Sequence, residues 1–285
     1  MKVQKSFLDS DPILYIVPTP IGNLNDMTYR GVEVLNQVDY IFSEDTRVTK
    51  VLLSHFNIKS KLLSYHSFNE KKQTEVILEL LRKRNSIALV SDAGFPTISD
   101  PGFYVVSEAI KAGFKVVSLP GATAGITALV ASGIPNDKFL FYGFLASKSE
   151  QRKKELKSLQ DFPETMIFYE SPHRIIDSLK DIYEILGNRE MALAREITKR
   201  YEEYIRGKVL EIINSFSSFK GEVVLIVEGA SKTRMQKRLN ELDIKAHYNH
   251  YLEEGLDSKA AMKRVASDRE ISKSEVYKVV KIDAT

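Results

Sequence analysis

The sequence predicts an α/β fold of two sheet-bearing domains followed by a small helical C-terminal tail. Three observations carry this. Short apolar runs alternate with stretches of helical periodicity through the first 120 residues, the pattern of strands and helices packed in layers. After Gly121 the strand-like runs follow one another more closely, which suggests a mixed sheet. A length of 285 residues is also enough for about two domains that each bury a core.

The first half repeats one plan. Ile13 to Val17 reads as a strand, the loop PTPIGNLNDMT follows, and Thr28 to Asn36 reads as a helix. Tyr40 to Ser43 is the second strand, with polar Glu44-Asp45-Thr46-Arg47 leading into a helix over Val48 to His55. Lys61 to Tyr65 is the third strand, and Glu70 to Arg84 a helix with Val76, Ile77, Leu80 and Leu81 on one face. Ile87 to Val90 and Val116 to Leu119 are the fourth and fifth strands. Between them lie a loop from Ser91 to Gly102, dense in Gly, Pro, Asp and Ser, and a helix over Phe103 to Ala112. That loop is far longer than the ~2–6 residues of an ordinary strand-to-helix connection, and its two prolines and two glycines fix an unusual path suited to close approach of a ligand. An ordinary connection is the alternative reading. In parallel sheets ligands bind beyond the carboxyl ends of the strands, where the loops after Val17 and Val90 lie.

In the second half the predicted helices are Thr123 to Ser132, a basic one over Ser149 to Leu159, His173 to Leu186 and Lys208 to Phe216. The basic helix is opened by Ser147 and Glu150 in capping-box spacing. Phe139 to Gly143, Thr165 to Tyr169, Met191 to Arg195, Tyr201 to Arg206 and Val223 to Val227 read as strands. The expected boundaries are 12–120, 121–230 and a tail over 231–285. In the tail, Ser258 to Ser267 and Ser272 to Lys281 resemble a helix-turn-helix pair, the second opened by Ser272 and Glu275 as a capping box, or else a helical pair that packs on the body.

Composition removes several classes of function. Cysteine is absent, which excludes disulfides, thiolate metal sites and a cysteine nucleophile, and fits a reducing, cytoplasmic setting. The five histidines have no metal-ligand spacing, so no metal is expected. The N-terminus carries no signal-peptide pattern, and the uncharged stretch Val116 to Asn136 is broken by Pro and Gly, so no membrane span is expected. Net charge is only +3: 12 Lys plus Arg against 9 Asp plus Glu from Ala230 onward, and 29 of each before it. Charge alone therefore gives RNA binding little support. Dinucleotide, P-loop and nucleophile-elbow glycine motifs are also missing.

What remains are polar clusters at element ends, and their spelling and order carry a resemblance. PTPIGNLNDMT, EDTR (Glu44 to Arg47), SDAGFPTISDPG (Ser91 to Gly102), LPGATAGITAL (Leu119 to Leu129), SGIP, FYGFL (Phe141 to Leu145), FYESPHR (Phe168 to Arg174), AREITK (Ala194 to Lys199) and GEVVLIVEG (Gly221 to Gly229) occur in sequence. In this series the chain resembles the tetrapyrrole methylase superfamily of S-adenosylmethionine enzymes. Within it, EDTR, FYESPHR and AREITK are similar to the branch that methylates a cytidine 2'-oxygen of 16S ribosomal RNA. Phe95, Ala122 and Ala146 depart from the family's pattern without removing a polar group.

The resemblance implies a homodimer and S-adenosylmethionine between two α/β domains. The cofactor would lie against Pro20, against Ser91, Asp92, Ala93, Gly94, Pro96, Thr97, Asp100 and Pro101 of the central loop, and against Ala122, Thr123, Phe144 and Leu145. A ribose hydroxyl is a weak nucleophile, so a carboxylate or imidazole within reach would assist. Glu170 or His173 is the expected base and Glu196 the next candidate, with Arg174, Arg195 and Lys199 binding phosphate or orienting the acids. Lys232, Arg234, Lys237 and Arg238 of the tail, and the basic helix, are the expected contacts to 16S rRNA in the small ribosomal subunit. A small-molecule methyltransferase of the same fold and a non-catalytic nucleic-acid-binding regulator are the alternatives.

Overall fold

Five short strands, β1 (Ile13–Ile16), β2 (Tyr40–Ser43), β3 (Lys61–Ser64), β4 (Ile87–Val90) and β5 (Lys115–Ser118), form one sheet in the order β3-β2-β4-β1-β5 with every pairing parallel. β1 and β4 are buried on both faces because helices cover both sides of a parallel sheet. The helices are α1 (Tyr29–Gln37), α2 (Thr46–His55), α3 (Glu70–Arg82) and α4 (Phe103–Lys111). Thr28 caps α1 by accepting from Gly31 N at 2.9 Å, and Asp45 caps α2 by accepting from Arg47 N at 2.8 Å. α3 turns Ile77 and Leu81 fully inward, with Val76 and Leu80 packed at the edge of the same cluster.

The second sheet runs β6 (Phe139–Phe144), β7 (Thr165–Glu170), β10 (Val223–Val227), β8 (Glu190–Arg195) and β9 (Glu203–Lys208) in that spatial order. Only β6 and β7 are parallel, so the expected mixed sheet is present. Helices α5 (Ala124–Ser132), α6 (Ser149–Ser158), α7 (Ile175–Leu186) and α8 (Val209–Ser215) cover it. Phe168, Leu193, Leu225 and Leu179 centre the core on one face of this sheet, and Ile167, Ala192, Ile226 and Leu129 the core on the other. The computed structural model describes residues 3–8 and 10–282, without the side chains of 232–235, 237 and 281–282.

Three local expectations change. The helix expected from His173 begins two residues later, because Ser171 to Arg174 form a turn in which Arg174 N donates to Ser171 O. The capping box at Ser147 and Glu150 does not form. Lys148 stands at the cap of α6, and Arg152 Nη1 takes the Ser147 carbonyl at 3.1 Å. The tail holds four helices where two were expected: α9 (Lys232–Glu241), α10 (Ile244–Glu253), α11 (Ser258–Arg269) and α12 (Lys273–Ile282). They share a separate core of Leu239, Tyr248, Tyr251, Met262, Val265 and Val276. Ser272 and Glu275 do form their capping box.

Among the described residues no helix is long and apolar enough to cross a membrane.

Candidate active site

The order β3-β2-β4-β1-β5 places the carboxyl ends of β1 and β4 side by side, so the two Pro/Gly loops leave the sheet together. They are stitched to each other at once. Thr19 N donates to Gly94 O at 2.9 Å, Gly94 N to Thr19 O at 3.0 Å, and Thr19 Oγ1 to Ser91 O at 3.0 Å. Ser91 Oγ closes the turn on Gly94 O at 3.0 Å. The second sheet faces this paired loop with the ends of β6 and β7, the segment after β8 and the start of β10. Between them lies a cleft of about 480 Å³, a size suited to a cofactor.

Six of the expected cofactor contacts line this cleft: Asp92, Ala93, Gly94, Asp100, Thr123 and Phe144. Pro20 and Ser91 line a second cleft on the far side of the stitched loops. Pro96, Thr97, Pro101, Ala122 and Leu145 line neither. Thr97 turns inward under Gly102, whose absent Cβ would meet Thr97 Cγ2 at 2.9 Å, and Leu145 belongs to the core of the second unit. These residues shape the walls.

Of the expected acids, Glu170 and Glu196 reach the cleft and His173 does not; His173 is exposed on the turn before α7. Glu170 is a saturated carboxylate. Ser171 N donates to it at 2.7 Å, Ser178 Oγ at 2.5 Å, and Arg174 Nη2 pairs with it at 2.8 Å. Its side chain is 0% exposed. Such a group holds a turn together and has little spare capacity to accept a further proton. Glu196 is freer, pairing with Lys199 Nζ at 3.0 Å. Arg195 is committed to Glu203.

The cleft's electrostatics are one-sided. Glu44, Asp92, Asp100, Glu170, Glu196 and Glu222 line it, and among the described residues no lysine, arginine or histidine does. Burial, followed by the charges of Glu44 and Asp92, pushes the Asp100 carboxyl up to about 6. Burial and Asp92 likewise raise Glu44. Two clusters of left-handed backbone flank the space: Thr97 (φ 76°) and Ser99 (φ 64°) in the central loop, and Glu196 (φ 50°) and Thr198 (φ 69°) opposite. Threonine disfavours this region, at a cost of order 1–3 kcal/mol per residue, and such strain gathers where geometry serves a ligand.

A clasp joins the two halves beside the cleft. Gly22 lies against the Lys199 stem, where a Cβ would meet Cγ at 2.7 Å, and Gly221 leaves room for the Glu196 carboxylate. The Glu196–Lys199 ion pair is therefore held between two glycines, one from each half. Ile21, Glu44, Phe95, Ile98, Tyr169 and Glu222 were not among the expected contacts, although all line the cleft. Glu44, Phe95 and Tyr169 lie inside the polar motifs and were within reach. Val223 and Val224 read as core within the motif GEVVLIVEG, and their apolar character hid that the start of this strand forms a wall.

The tail cations fall elsewhere. Arg238 is ion-paired to Asp161 of the second unit. The side chains of Lys232, Arg234 and Lys237 lie outside the described residues. In the basic helix α6, Arg152 is buried on Asp181 at 2.6 Å and Lys153 pairs with Glu184 at 2.6 Å, so these two cations help hold α6 to α7, while Lys154 and Lys157 of the same helix are exposed.

A family model described as Tetrapyrrole (Corrin/Porphyrin) Methylases matches residues 13–213. Among solved structures, a diphthine synthase superposes with a TM-score of 0.61 at 13% identity, over 76% of this chain and 90% of that one. A cobalt precorrin-4 methyltransferase gives 0.57 at 16%, over 76% and 94%. These likenesses establish the fold alone. Sequence relatives are nearer. The ribosomal RNA small subunit methyltransferase I of Bacillus subtilis (strain 168) is 48% identical over 93% of this chain and 92% of its own length. The protein of that name from Halalkalibacterium halodurans is 45% identical over 98% and 99%. With the parallel sheet, the stitched loops and the acidic cleft in place, the chain belongs to the tetrapyrrole methylase family, in the branch of these small subunit methyltransferases.

Proposed function

We propose that the protein transfers the methyl group of S-adenosylmethionine to the ribose 2'-oxygen of a cytidine in 16S rRNA, acting in the cytoplasm as a homodimer on the small ribosomal subunit. The observation that carries this reading is the charge of the main cleft, lined by six carboxylates and, among the described residues, no cationic side chain. A sulfonium and an ammonium on one ligand fit that donor set, and Ile21, Phe95, Phe144 and Ile197 offer apolar surface to an adenine. S-adenosylmethionine supplies an already activated methyl group, so positioning accounts for much of the catalysis.

The chain's own residues have separable tasks. Asp100 and Asp92 hold the cationic parts of the donor from the central loop. Glu170 fixes the turn Ser171 to Arg174, which forms one wall. In this reading Glu196, which pairs with Lys199 at the clasp, receives the proton of the ribose hydroxyl. The relatives named above support RNA of the small subunit as the acceptor class.

The test is transfer of labelled methyl from S-adenosylmethionine to small subunits isolated from cells that lack the enzyme. Label in 16S rRNA is the expected result. Donor binding with no label in RNA would shift the reading to a small-molecule acceptor.

A further inference from the structure

A second cleft of about 430 Å³ lies across the stitched loops from the first, and the two share Ile21, Asp92, Ala93 and Glu222 as a common wall. Its chemistry is different. The floor is apolar, built from Pro20, Leu24, Val48, Val51 and Leu52, and Lys199 stands at its edge. Helix α2 supplies much of this wall. On it Val48 is 47% and Val51 65% exposed. Arg47 and Lys50 alternate with them on the exposed side of the same helix. Arg47 pairs with Asp45 at 2.6 Å but remains 88% exposed, and no hydrogen bond or ion pair is recorded for Lys50 among the described residues. Thr49, 2% exposed, also lines this cleft, and its hydroxyl has no hydrogen-bond partner. A helical threonine has two accessible side-chain rotamers, so that hydroxyl can turn to a bound group.

Charge decides which ligand each cleft takes. A nucleotide with its flanking phosphates meets six carboxylates in the first cleft and only Asp92 and Glu222, beside Lys199, in the second, with Arg47 and Lys50 exposed on the adjoining helix. A flat base gains from an exposed apolar floor. Resting on the function proposed above, we infer that the second cleft receives the acceptor nucleotide, everted from the rRNA, with its base on Val48, Val51 and Leu24 and its phosphates towards Lys50, Arg47 and Lys199. The two clefts meet at Ile21, Asp92, Ala93 and Glu222, and there the 2'-oxygen reaches the methyl carbon directly, forming the O–C bond as the C–S bond breaks and the thioether leaves. Thr49 is the polar group positioned to read the base edge. RNA targets whose bases are unstacked and splayed out suit such a pocket.

Four variants test this in the full-length enzyme with small subunits as substrate. Val51→Trp narrows the cleft from an exposed position, so folding is undisturbed. Lys50→Ala removes one cation. Thr49→Val deletes the hydroxyl without changing shape, and Thr49→Ser restores it. Donor affinity by calorimetry stays within twofold of wild type in all four. Val51→Trp lowers kcat/KM for the subunit about tenfold or more, the scale of one lost base contact. Lys50→Ala reduces the salt dependence of log KM by about one unit of slope, the value of one phosphate contact. Thr49→Val raises KM and Thr49→Ser returns it towards wild type. Wild-type transfer with unchanged kcat/KM and salt slope in Val51→Trp and Lys50→Ala overturns the inference alone. A wild-type enzyme that binds donor but methylates no RNA overturns the functional reading, and this inference with it.

Discussion

At the residue scale, Asp100 ties the cleft to pH. Its carboxyl is pushed up to about 6 by burial and by Glu44 and Asp92, so near neutrality it is ionised against its surroundings. A raised carboxyl favours the folded state below the unfolded value, and that contribution is lost as pH rises through about 6. Binding a cation reverses the preference. Donor affinity is therefore expected to fall as pH drops through about 6, with proton release on binding in that window. Calorimetry in buffers of different ionisation enthalpy measures both, and Asp100→Asn should remove the proton release while weakening binding at pH 7. Glu170 and His173 are expected to separate in the opposite sense from a catalytic pair. Glu170→Ala strands Ser178, Arg174 and Ser171 N, at a cost of about 1–3 kcal/mol in denaturant unfolding. His173→Ala should leave turnover within about twofold, since the imidazole points to solvent outside the cleft. The motif FYESPHR was legible as a functional segment. Which of its side chains faces the cleft was not, because Glu170 ends a strand pointing inward and His173 sits on the turn beyond it.

At the element scale, the strands were the most legible feature. β2, β4 and β10 fall where the apolar runs place them, because a strand buried on both faces has no polar alternation to blur its ends. Helices with mixed burial were harder. α9 has almost no apolar face, and α10 draws its buried positions from His247, Tyr248 and Tyr251, types that seldom announce a core. In α6 the charge pattern was legible but its pairing was not, because net charge along a helix says nothing about which cations are paired. Arg152 is 2% exposed and binds Asp181 and the carbonyls of Ala146 and Ser147. Arg152→Ala, which leaves the buried Asp181 with only the Ser149 hydroxyl at 2.9 Å and the more distant Lys153, is expected to cost about 3 kcal/mol of stability in urea unfolding. The salt dependence of subunit binding should not change with it, as it would if Arg152 touched phosphate.

At the scale of the whole molecule, two sheets of different design divide the work. The parallel sheet brings two long loops to one point, and the mixed sheet supplies an opposing wall. The clasp of Gly22, Lys199, Glu196 and Gly221 fixes the distance between them. Gly22→Ala should therefore weaken donor binding and turnover together, because its methyl group would force the Lys199 stem away. The division into two α/β units was legible from the rhythm of strands and helices. The apposition of the loops was not, because it depends on β1 lying between β4 and β5, a spatial order that chain order does not reveal. The tail meets the body through Arg238 and Asp161 and through Ala230 N, which donates to Phe162 O at 2.7 Å.

Nucleoside analysis tests the central claim most directly. Small subunits methylated in vitro by the purified protein are digested, and the modified nucleosides are identified by mass spectrometry. The account predicts 2'-O-methylcytidine, with none formed when S-adenosylmethionine is omitted. A methyl group on a base, or no modified nucleoside from an enzyme that still binds the donor, would contradict it.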